Sequence, residues 1–73
     1  MTRTWPSPEI GELHGLCRRL NARVNQHLHA GHVARLSADG RLYEIHLCAA
    51  REVLGAYYEA EARLLWAIEE AGR

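Results

Sequence analysis

The stretch HVARLSADGRLYEIHL, residues 32–47, decides the fold because it joins two segments with helical patterns. Asp39-Gly40 is a strong two-residue turn signal, and apolar and polar residues alternate on both sides of it. With these two residues as the loop, Leu36 faces Tyr43 across the pair of strands. The stretch therefore predicts a β-hairpin.

A second register of this hairpin is open to the sequence. A three-residue loop with Gly40 in a bulge would set His32 against His46. The two-residue loop instead pairs Arg35 with Glu44 on one face and leaves the other face apolar. We prefer that register because it separates the two faces more cleanly.

The segment before the hairpin predicts one amphipathic helix over residues 7–30. Ser7-Pro8 combines a hydroxyl N-cap with proline at the first helical position. Gly31 follows as the expected residue after the helix end, and residues 1–6 are expected to form a loose arm. The apolar side chains of this helix recur at helical spacing: Ile10, Leu13, Leu16, Cys17, Leu20, Val24 and Leu28.

The segment after the hairpin predicts a second helix over residues 50–71, and this helix is unusually apolar. Its apolar side chains cover an arc of roughly 200°, whereas a surface helix needs about 100°. Trp66 falls on the opposite, charged side. An excess of this kind points to a partner, and the expected contact residues are Trp66, Leu54, Tyr57, Tyr58 and Leu65.

Length and composition indicate one small globular domain over residues 1–73. A chain of 73 residues buries only about 60% of the surface that its unfolded form exposes, so a second subunit would help to stabilise it. The predicted order of elements is helix–β-hairpin–helix (α-β-β-α), so the predicted fold class is α+β. The small size of this unit predicts that it forms a homodimer.

The charge is balanced overall but not along the chain. Residues 1–51 carry seven Arg against four acidic residues, and residues 52–73 carry two Arg against five Glu. A patch of arginines could bind phosphates, which makes a small DNA- or RNA-binding regulator the main alternative function. Its residues would be Arg18, Arg19, Arg23, Arg35 and Arg41.

Histidines and cysteines offer a second alternative, a small zinc-binding protein. Imidazole and thiolate are the usual zinc ligands, but the spacing here matches no standard zinc-finger pattern. Two sets of residues are candidate zinc ligands: His14, Cys17, His46 and Cys48, or His27, His29 and His32.

The sequence predicts a non-enzymatic protein–protein interaction module. It contains no glycine-rich phosphate loop and no convincing catalytic arrangement, so no catalytic residue and no cofactor are expected. A small regulator, adaptor or inhibitor fits best, of a kind frequent in phages and mobile elements. With no apolar run long enough for a membrane span and only two cysteines, a cytoplasmic location is expected.

Overall fold

The computed structural model describes residues 8–73, which form two long helices. Helix α1 spans Pro8–Leu36 and helix α2 spans Gly40–Ala71. The helices pack side by side in opposite directions and are joined by three residues. The predicted arm over residues 1–6 and the predicted cap at Ser7 lie outside the described residues.

The predicted α+β class is wrong. The described part of the chain contains no strand, and residues 32–47 form the end of α1, a short turn and the beginning of α2. The helix predicted over residues 7–30 therefore continues to Leu36, and the helix predicted over residues 50–71 begins at Gly40. The fold is an antiparallel helical hairpin.

Asp39 caps a helix instead of turning a β-hairpin. Its carboxylate accepts a hydrogen bond from the Leu42 amide at 3.0 Å, and its carbonyl accepts one from the Tyr43 amide at 3.0 Å. A side chain that accepts from the third residue of a helix is the usual role of Asp at the N-cap. The same residue that favours a turn thus starts α2.

The chain reverses one residue earlier than the sequence indicates, at Ala38. This residue has a left-handed φ of 59°, whereas no described glycine has a positive φ. The Asp39 amide donates to the Ala34 carbonyl at 2.9 Å, and the Ala38 amide donates to the Arg35 carbonyl at 3.0 Å. These two bonds form a Schellman motif, which satisfies the last carbonyls of α1.

The residues around the turn are helical because they continue the contact face of each helix. Gly31, Ala34 and Ala50 are buried where the two helices approach each other. Their spacing continues the alternation of three and four residues that marks the apolar faces of both helices. Gly31 is thus an interior residue of α1, not the residue after its end.

The largest core cluster lies at the other end of the hairpin. It contains Ile10, Leu13, Cys17, Ala60, Leu64 and Ala67, with Leu16, Leu20 and Tyr57 packed against it. Large side chains from α1 meet alanines from α2, with Leu64 as the main exception. We call the whole contact between α1 and α2, from this core cluster to the buried Gly31, Ala34 and Ala50 beside the turn, the hairpin seam.

The molecule is long and thin. Its Cα atoms extend over 59 × 16 × 11 Å, with a radius of gyration of 16.6 Å, whereas a compact domain of this length has about 11 Å. Within residues 8–73, two helices side by side form one layer, so each helix has the other as its neighbour on one side only. The outer surfaces of both helices are not covered by any other part of residues 8–73.

Candidate interaction surface

A second apolar row runs along α2, beside the hairpin seam. Its positions again alternate by three and four residues, which is the heptad spacing of a helix contact. Tyr58 and Leu65 are 58% and 60% exposed, and Leu54 is half-buried. We call this row the outer stripe, and its seven residues are Leu47, Arg51, Leu54, Tyr58, Glu61, Leu65 and Ile68.

Two positions of the outer stripe carry opposite charges, Arg51 and Glu61. They are ten residues apart on one helix, so about 15 Å separates them along its axis. Arg51 is exposed and forms no ion pair with any described residue; the ion pairs found join Arg73 to Glu69 and Glu70. Arg51 and Glu61 therefore cannot neutralise each other within one chain.

Glu61 is held in place by Tyr57. The Tyr57 hydroxyl donates a hydrogen bond to Oε2 of Glu61 at 3.1 Å, between the hairpin seam and the outer stripe. This hydrogen bond to the carboxylate, followed by the negative charge itself, raises the pKa of Tyr57 above the usual value for tyrosine. The raised pKa means that the bond stabilises the fold below about pH 10, and that this contribution is lost as the phenol ionises.

We expect Glu61→Gln to lower the pKa of Tyr57 toward the ordinary tyrosine value. The amide can still accept the hydrogen bond, but it no longer places a negative charge beside the developing phenolate. Absorbance of the phenolate during an alkaline titration measures the change, and Tyr57→Phe identifies which of the three tyrosines responds.

The matched control is Glu59→Gln, because Glu59 is exposed on the same helix, and the tyrosine hydrogen bond found within residues 8–73 goes to Glu61. This control should leave the titration unchanged. An equal shift of the tyrosine pKa in both variants would show that the overall negative charge of α2, and not the hydrogen bond to Glu61, raises the pKa of Tyr57.

The structure divides the predicted contact residues among three surfaces. Leu54, Tyr58 and Leu65 lie together on the outer stripe. Tyr57 packs against the core cluster and belongs to the hairpin seam. Trp66 is 63% exposed, but it lies about 100° around the helix from Leu65. The outer stripe is therefore the surface that holds three of the five predicted contact residues.

The structure brings together two of the candidate metal ligands, His27 and His46. Their Nδ1 atoms are 3.3 Å apart across the hairpin seam, and their rings are tilted by 38°. An N–H···N hydrogen bond of this kind requires at least one neutral ring. His29 and His32 are exposed on α1.

The other candidate ligands are dispersed. Cys17 is buried in the core cluster beside the exposed His14, and Cys48 is an exposed free thiol on α2. Within residues 8–73, no three histidine, cysteine or acidic side chains are close enough together to hold a metal ion.

The five arginines of the nucleic-acid alternative do not form one patch. All five are exposed, and Arg18 to Arg35 alone cover about 25 Å along α1. Arg19 lines a hollow with Glu9 and Glu12, and Arg41 lines another hollow whose lining includes Glu44 and Glu52. Carboxylates thus interrupt the positive surface.

Sequence reasoning missed Leu47 and Ile68 as members of the outer stripe. Leu47 falls in the predicted β-hairpin over residues 32–47, and Ile68 is not among the expected contact residues. The signal that could have found them is the seven-residue spacing from Leu47 through Leu54 and Glu61 to Ile68.

No protein-family model, curated protein or solved structure matches this chain. No helix within residues 8–73 has both the length and the apolar character needed to cross a membrane. Function must therefore be inferred from the surface of the hairpin itself.

Proposed function

We propose that this chain is a non-enzymatic protein–protein interaction module, a small regulator, adaptor or inhibitor that acts through α2. The observation that carries the proposal is the outer stripe, a mainly apolar row with heptad spacing in which Tyr58, Leu65 and Ile68 are exposed. Rows of this kind bind another helix by inserting side chains between those of the partner.

The arrangement of polar groups supports the same function. His14, Cys17 and Glu61 line one open hollow, in which Cys17 is buried in the core cluster and Glu61 accepts the hydrogen bond of Tyr57. The other histidines, Cys48 and most carboxylates are spread along a thin molecule, whereas an enzyme needs such groups to converge in a cleft. Cys17 and Cys48 are free thiols, which agrees with a reducing compartment. We therefore place the proposed module in the cytoplasm.

Two single substitutions on α2 test this function. Leu65→Glu puts a charge on the outer stripe, whereas Ile45→Glu puts the same charge on the other side of α2, where Ile45 is 54% exposed. We expect Leu65→Glu to abolish association with a protein partner and Ile45→Glu to preserve it, because a charge buried in an apolar contact is costly.

Association is measured in two ways. Light scattering of the purified chain detects self-association, and affinity purification from the native host detects proteins that wild type and Ile45→Glu retain but Leu65→Glu loses. The function is supported if either measurement separates the two variants. A monomer that retains the same host proteins in all three forms would overturn it.

A further inference from the structure

The outer stripe has the geometry of a contact with one more helix. It is turned about 90° from the hairpin seam around α2, so α2 has two contact rows, and only the hairpin seam is occupied by α1. The corresponding flank of α1 offers mainly polar side chains, including the exposed His14, Arg18 and Asn21. A partner on this side therefore finds most of its apolar contacts on α2.

We propose that the outer stripe binds the outer stripe of a second copy of this chain, with the two α2 helices antiparallel. This inference rests on the proposed function and names its partner. The resulting dimer has the order α1–α2–α2–α1, and the same surface serves both copies, as two-fold symmetry requires.

The charges in the outer stripe select this arrangement. The alternation by three and four residues gives the outer stripe two kinds of heptad position. When two such helices run antiparallel, a position of one kind faces a position of the other kind. One alignment places Arg51 opposite Glu61 of the second copy, and symmetry repeats the pair. The same alignment places Leu54 opposite Tyr58 and Leu47 opposite Leu65. Six of the seven positions of the outer stripe then lie in layers that are either apolar or a matched ion pair, and Ile68 falls opposite Glu44 of the second copy at each end of the contact.

Other alignments lose this match. Sliding one helix by a heptad sets Arg51 against Ile68 of the second copy and Glu61 against Tyr58. Parallel helices set Arg51 against Arg51 and Glu61 against Glu61, so like charges meet in two layers. Because an unpaired buried charge is destabilising, both alternatives are disfavoured.

Small residues beside the outer stripe allow the close approach that this contact needs. Cys48, Gly55 and Ala62 follow one another at seven-residue spacing on the flank away from α1. In the proposed alignment, Gly55 lies beside Gly55 of the second copy at the two-fold axis, and Cys48 lies beside Ala62. The net charge of zero also removes overall repulsion between two copies.

Charge reversal tests the pairing. Sedimentation equilibrium should show that the wild type dimerises and that Arg51→Glu and Glu61→Arg each weaken the dimer at least tenfold, because each creates two like-charge pairs. The double variant Arg51→Glu/Glu61→Arg should recover most of the affinity. Circular dichroism of dilute samples checks that the hairpin remains folded in every variant.

Cross-linking tests the direction of the helices. With a short bismaleimide, Ala62→Cys should give a covalent dimer through the new thiol and Cys48 of the second copy. Wild type and Cys48→Ser/Ala62→Cys should not cross-link, because antiparallel helices hold equivalent positions about 21 Å apart along the axis. Cross-linking of either control would overturn the antiparallel arrangement.

The two proposals can fail separately. If the purified chain is a monomer at high micromolar concentration but loses a host protein on Leu65→Glu, the second copy is the wrong partner and the interaction function stands. If the double charge reversal dimerises no better than the single variants, the proposed alignment is wrong. If the purified chain is a monomer and no host protein is lost, both proposals fall.

Discussion

Leu64→Ala should destabilise the hairpin more than any other single truncation on α2, by about 2–4 kcal/mol of unfolding free energy. Leu64 is 8% exposed and is the one large apolar side chain that α2 contributes to the fully buried core cluster. Total stability for a chain of this length is on the order of 4–11 kcal/mol, so the variant should lose a large share of it.

The adjacent residue provides the control. Leu65→Ala removes the same atoms from a side chain that is 60% exposed, so it should change the stability of the monomer by less than about 0.5 kcal/mol. Urea unfolding followed by circular dichroism, at concentrations where the chain is monomeric, measures both. Equal destabilisation by the two variants would contradict the assignment of Leu64 to the hairpin seam.

Gly31→Ala should stabilise the protein by about 0.5–1 kcal/mol, whereas Gly31→Leu should destabilise it by about 1–3 kcal/mol. A Cβ atom at position 31 would lie 3.5 Å from Cβ of His46 and 3.7 Å from the Tyr43 ring, which is ordinary van der Waals contact. Alanine therefore fits and favours the helix, but the longer leucine side chain would force the helices apart.

The sign of the alanine effect distinguishes the two folds. In a helix–β-hairpin–helix unit, Gly31 would end the first helix in a left-handed conformation, and alanine there would be strained. Gly11→Ala is the control, because no other group lies within 4 Å of its added Cβ. It should give a similar gain from helix propensity alone. A loss of stability on Gly31→Ala would contradict the continuous α1.

Local signals in the sequence correctly predict a helix on each side of residues 32–47. They fail within that stretch because a short apolar run is compatible both with the two-residue period of a strand and with the 3.6-residue period of a helix. Tyr43, Ile45 and Leu47 alternate as in a strand, but Tyr43, His46 and Leu47 also have helical spacing. Asp39 is equally ambiguous, since it is common both in tight turns and at helix N-caps.

The candidate surface could be predicted only in part. The sequence indicates that α2 is too apolar for one contact and singles out Leu54, Tyr58 and Leu65. It could not show that Tyr57 would pack against α1, or that Leu47 would lie in a helix. Those outcomes depend on how far α2 extends and how it is rotated against α1, and both follow from contacts between residues distant in the chain.

The sequence by itself determined that two amphipathic helices form and that the second has more apolar surface than one neighbour can cover. Helical periodicity and spacing are local properties, so they can be read without the fold. Only the tertiary structure decided that residues 32–47 are helical. Packing Gly31 of α1 against Tyr43 and His46 of α2 requires both helices to extend into this stretch. The same packing assigned one apolar row of α2 to α1 and left Tyr58, Leu65 and Ile68 of the outer stripe exposed.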